Sequence, residues 1–331
     1  MRIVTLEEHF IAPSLVRRIN PDAIVKRGFP PGFGAPLEKQ LADLDSLRIA
    51  EMDEAGITVQ VLSASGAGAD LLDGNEGMAF ARDINDVLGK AIAAHPDRLA
   101  GFAHLPVRSP QAAADELERS VRDLGFCGAL INGTTEGRFL DDARFEPILA
   151  RAEQLDVPIY VHPNLPPPSV REAYYEGLPG DTGFRLSMAA WGWHSEVAIH
   201  VLRLVVSGAL DRHPRLKVII GHMGEGLPAM LVRADKALSG DVRHLKRSVA
   251  QTIHDQVWVT SSGLFTWPPL EIALAIFGPD RVLFSIDYPY SSNRQGRDYL
   301  DALKLPAADL EKFAHGNADR LLKLKPGGAK I

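Results

Sequence analysis

The chain has 331 residues, 46% of them hydrophobic, enough to bury a substantial core, and a net charge of −6 with both signs mixed along its length. The lack of a long basic stripe argues against nucleic acid as a partner. One cysteine, Cys127, excludes an internal disulfide framework and any cysteine-based zinc motif.

The start, MRIVTLEEHF, reaches charge by Glu7 without a signal-like apolar region, and no later run approaches a membrane span. A cytoplasmic protein with no membrane partner is therefore expected. The first β-rich run is RIVTL (Arg2–Leu6), which leads into the polar TLEEHF. A Pro/Gly-rich segment, Asn20–Pro36, comes next, then an amphipathic stretch, PLEKQLADLDSLRIAEMDEAG, ending on a C-cap glycine, Gly56. ITVQVLS (Ile57–Ser63) and LAGFAHLP (Leu99–Pro106) read as the next two strands. SPQAAADELERSVRDLG reads as a helix with Pro110 at its first position and Gly125 at its end.

CGALING (Cys127–Gly133) and VPIYVHP (Val157–Pro163) follow, then a second long loop, Pro163–Gly183. Long loops inside a compact domain are usually functional. The remaining runs are LKVIIGH (Leu216–His222), VWVTSS (Val257–Ser262) and RVLFSID (Arg281–Asp287). Eight strand-length, Val/Ile/Leu-rich runs alternating with helices predict an α/β fold, a (β/α)8 TIM barrel with loops inserted after strands 1 and 5. A single domain over 1–331 is expected, with a doubly wound open sheet as the competing arrangement.

Four of the runs end on polar side chains. Strand alternation puts Glu7 and His9 on one face with Ile3 and Thr5, and Glu8 on the other with Val4 and Leu6, which are expected to lie under helices. His162, His222 and Asp287 close strands 5, 6 and 8. Barrel active sites collect single residues at the C-terminal strand ends, so these five should converge. Carboxylate and neutral imidazole together suit a divalent ion with open positions. Strand 4 offers no lysine to bridge two metals, so one ion is expected. His95, His213, His244, His254 and His315 suit surface roles, and His104 a structural one. His194, Glu196 and His200 suit buried packing or support rather than ligation. No G-x-S-x-G, P-loop or G-x-G-x-x-G pattern occurs.

LEEHF, YVHP, IIGHMGEGLP, FSIDYP and GNADRLLKL together, in this order over nearly the whole chain, resemble the amidohydrolase superfamily. More narrowly, they resemble its metal-dependent aromatic acid decarboxylases of the γ-resorcylate and 2,3-dihydroxybenzoate type. The resemblance implies metal ligation by Glu7, His9, His162 and Asp287, and catalytic roles for Asp287, His222 and its partner Glu225. It also implies substrate contact by Arg233, an aromatic carboxylate substrate, one Mn or Zn ion, and a homo-oligomer, dimer or tetramer. Asn164 with Pro166–Pro168, Tyr288 with Tyr290, and His194 depart from the family pattern. Non-oxidative decarboxylation of a salicylate-like acid is the expected activity. Metal-dependent hydrolysis of a lactone or amide on the same cage is the enzymatic alternative, and a non-catalytic binding barrel the other.

Overall fold

The computed structural model describes residues 1–66 and 68–324; the last seven residues of the expected domain lie outside them. The eight strands are β1 (Val4–Phe10), β2 (Val59–Ala64), β3 (Leu99–His104), β4 (Gly128–Asn132), β5 (Ile159–His162), β6 (Val218–Ile220), β7 (Val257–Thr260) and β8 (Val282–Leu283). They pair in parallel in sequence order, which is the topology of a (β/α)8 barrel and rules out the open, doubly wound sheet.

The crossovers are carried by α1 (Ser46–Ala55), α2 (Gly74–Ala94), α3 (Pro110–Arg122), α4 (Glu146–Leu155), α5 (Gly192–Val206), α6 (Leu227–Leu238) and α7 (Trp267–Phe277). The helix expected to run to Gly56 is broken at Asp43–Asp45. There the Asp43 carboxylate accepts from the Asp45 and Arg48 amides at 3.0 and 3.1 Å, a local turn that competes with the helix. Gly56 ends α1 at φ +67°, and Pro110 opens α3, as expected.

Two cores share the sheet. Outward side chains pack against the helices, while Val4, Leu6, Val61, Phe102, Tyr160 and Ile219 fill the barrel interior. The position of Val4 and Leu6 corrects the expected register, because they point inward. A bulge between Leu6 and Glu8, with Glu7 at φ +89°, shifts the pairing to β2 by one residue and reverses the parity beyond it. Glu7 and His9 still reach the interior, through the bulge rather than through unbroken alternation.

Glu8 then faces the gap between β1 and β8. Its carboxylate accepts from the amides of Ile286 at 3.0 Å and Tyr288 at 2.9 Å, and the Ser285 hydroxyl donates to the Leu6 carbonyl. The seam is thus closed by side chains as well as backbone, which is why β8 is shorter than the run Arg281–Asp287.

Candidate metal centre and active site

His9 is clamped from both sides. Its amide donates to Tyr288 O at 2.7 Å, and the buried Arg48 guanidinium donates to its carbonyl at 2.7 Å. Its Nε2 lies 3.1 Å from Asp287 Oδ1, yet off line for a hydrogen bond and without another partner. Glu7 is fully buried; its Oε2 accepts from the Tyr160 and Ser262 hydroxyls, while Oε1 has no hydrogen-bond donor and stands 3.3 Å from His162 Nε2. A Cβ on Gly221 would sit 2.5 Å from Glu7 Oε2, so a side chain there would displace this carboxylate.

Donor atoms of Glu7, His9 and His162 lie within 4.8 Å of one another, and Asp287 completes the group through His9. Burial raises the Glu7 carboxyl to about 7 against the pull of His222. Burial, with His9 nearby, lowers His162 to about 3, leaving a neutral imidazole with a free lone pair. A neutral imidazole and a carboxylate with an orphaned oxygen are the forms a divalent ion takes as ligands. The residues therefore fit one such ion.

Across the cavity floor, His222 Nδ1 is 2.9 Å from Glu225 Oε1, and its Nε2 is 3.9 Å from Asp287 Oδ2. Burial opposes charge on His222, but the Glu225 and Glu7 carboxylates hold its proton well above the ordinary range. Burial would raise Glu225; the His222 charge and hydrogen bonds from His194 and His222 keep it at about 2. Asp287, also pushed up by burial, is held at about 2 by His222 and His9.

Nine non-glycine residues among those described have positive φ, and six of them are Glu7, His222, Met223, Glu225, Ser262 and Asp287. Such backbone conformations cost about 1–3 kcal/mol each and concentrate where side chains must be aimed.

Glu7, His9, His162, His222, Glu225 and Asp287 are thus brought together. Arg233 is not: it is exposed on α6 and does not line the cavity above Asp287. His104 accepts from the Ala69 amide at 3.0 Å and His200 from the Leu140 amide at 2.9 Å, both structural roles. His194 does more than pack, since its Nδ1 bonds Glu225 Oε2 and its Nε2 meets the Ala189 carbonyl at 2.9 Å. Tyr160 and Ser262 join the site beyond the expected residues, through their bonds to Glu7. Both carry a readable signal: Tyr160 lies two residues before His162 on the same strand face, and Ser262 closes the seventh run, VWVTSS.

The chain belongs to the amidohydrolase family, whose model matches residues 29–324. It is 37% identical over 333 residues to the γ-resorcylate decarboxylase of Rhizobium sp. strain MTP-10005, covering 97% of this chain and 98% of that one. Among solved structures, it superposes on the dihydroxybenzoic acid decarboxylase of Polaromonas sp. JS666, which has bound manganese and the inhibitor 2-nitroresorcinol. The TM-score is 0.86 with 34% identity and 97% of each chain covered. The 5-carboxyvanillate decarboxylase of Novosphingobium aromaticivorans, with bound manganese, gives a TM-score of 0.89 at 30% identity, covering 98% of this chain and 97% of that one.

Proposed function

We propose that this chain is a metal-dependent carboxy-lyase that removes CO2, without oxidation, from an aromatic acid bearing a hydroxyl ortho to its carboxylate. Glu7, His9, His162 and Asp287 would hold one divalent ion, and two carboxylates in the set would favour Mn over Zn. The observation that carries the reading is the placement of Asp287. One oxygen faces His9 within the ligand group, the other faces His222, and the side chain lines the cavity floor. The three relatives compared above are named as decarboxylases of aromatic acids.

When bound, the ion would supply a positive centre that stabilises negative charge on the substrate oxygens. Asp287, ionised in the resting site, takes the ortho hydroxyl proton and passes it to the ring carbon that carries the carboxylate. The C–C bond pair then returns to the ring, restoring aromaticity as CO2 leaves, and solvent reprotonates the phenolate. His222, its Nδ1 fixed by Glu225, keeps Nε2 turned to Asp287 and the substrate oxygens.

The manganese-loaded protein should release CO2 from a panel of 2-hydroxybenzoates and leave lactones and amides intact. Ring opening or amide cleavage without CO2 release would instead establish the hydrolase reading, and no turnover with no metal uptake would establish a binding barrel. We also propose that the chain self-associates. Trp191, Met230 and Val232 are 60%, 54% and 75% exposed, and light scattering would read a dimer or larger species.

A further inference from the structure

We infer that the acid this site takes carries an apolar substituent, alkyl or aryl, on the ring edge remote from its carboxylate, and that Phe29 and Phe33 select it. The inference rests on the decarboxylase reading above. The cavity over Asp287 and His222 has a volume of about 500 Å³. That lies within the roughly 300–1,000 Å³ that buries a drug-sized ligand, and a bare single-ring acid leaves room in it.

Polarity in this cavity is one-sided. Most of its polar side chains stand at or just beyond strand ends, as Asn132 and Asn164 do; the Trp193 indole, whose Nε1 has no hydrogen-bond partner, lines it from the segment after β5, and among the described residues no lysine or arginine does. The walls above are carbon: Phe29 and Phe33 from the loop after β1, Met188 from the segment after β5. The Tyr290 hydroxyl lies 3.0 Å from Ser65 Oγ, and its ring meets that of His9 at 5.6 Å between centroids. A charge on the ring edge that faces Phe29, Phe33 and Met188 would lose its water without gaining a charged partner, whereas an alkyl or aryl group there loses nothing.

Phe33 is 41% exposed, unusual for an aromatic ring inside a site. Phe29 and Phe33 touch each other at 5.2 Å between centroids, and Phe184 meets Phe33 at 5.9 Å. Behind the same loop lies a further cavity of about 680 Å³ that Phe29 and Phe33 also line. The two rings are therefore backed by little core and present apolar surface to the substrate space. A substituent reaching that surface would bury it, and each added methylene would favour binding.

The test compares 2-nitrophenol with the same compound carrying a propyl group on the edge away from the nitro group. Both are inert chelating probes, titrated calorimetrically into the manganese-loaded protein, with CO2 release from salicylate and the matching propylsalicylate measured in parallel. The propyl probe should bind at least about tenfold more tightly, and its acid should show a similar gain in kcat/KM. Phe33→Ala and Phe29→Ala should each shrink that preference, with unaltered thermal midpoints showing that the fold persists.

Equal or weaker binding of the propyl probe would overturn the inference, as would a preference left at full size in both variants. The two readings fail separately. A propyl preference in binding with no CO2 from either acid would sink the decarboxylase reading alone. Equal kcat/KM for the two acids, with CO2 released from both, would sink the substituent pocket alone.

Discussion

The floor of the cavity and the lids above it hold their side chains in different ways. At the floor, each functional group leaves a strand end and is fixed by a named neighbour: Glu7 by Tyr160 and Ser262, His9 by Arg48 and Tyr288, His222 by Glu225. In the lid after β1, Phe29 and Phe33 lean on each other, with Phe184 alongside, between two open volumes. Chemistry needs side chains held to within fractions of an ångström, and the barrel supplies that rigidity. Recognition of a substituent needs only apolar area of the right shape, which a loop can provide and alter without disturbing the floor.

Changes at the floor should therefore cost far more than changes above it. The largest effect belongs to the ligands. Glu7→Gln or His9→Ala should leave no bound manganese by elemental analysis and reduce turnover to background. In the unaltered protein, metal affinity should weaken as pH falls through about 7. Burial has raised the Glu7 carboxyl to that value, and the proton it takes up below it competes with the ion.

Next come the proton-handling partners: His222→Asn should lower kcat about 10²–10³-fold with metal retained, and Glu225→Gln somewhat less, read by steady-state kinetics. Glu8→Gln probes the seam. It should retain metal yet lose about 1–3 kcal/mol of unfolding free energy in urea, because the buried carboxylate accepts two backbone amides there. The smallest of the four belongs to His194, which joins the floor to the wall. His194→Phe should lower kcat by no more than about tenfold, since Glu225 keeps its bond to His222, and His194→Gln should recover part of the loss.

All eight strands are legible, and so are five floor residues, Glu7, His9, His162, His222 and Asp287, because apolar runs with polar ends have one ready explanation in a barrel; Glu225 follows only from the resemblance. The stretch TLEEHF is legible only in part. Unbroken alternation placed Val4 and Leu6 outside, and the structure places them inside. The outcome for Glu7 and His9 survives through a bulge at a non-glycine residue with positive φ, which nothing in the local sequence announces. Glu8 was assigned to the outer face, yet it closes the barrel against residues nearly 280 positions away, a long-range pairing no local pattern carries.

His194 and His200 share a helix and looked alike. Tertiary packing alone separates them, one reaching Glu225 and the other the Leu140 amide. Arg233, implied by the resemblance alone, is exposed and has no place at the floor within one chain.

The central claim is that Asp287 moves the proton that allows the C–C bond to break. Asp287→Asn, loaded with manganese and checked for metal content, should bind 2-nitroresorcinol while its CO2 release from a 2-hydroxybenzoate substrate drops by about 10³-fold or more. Undiminished CO2 release from the metal-loaded variant would contradict the account.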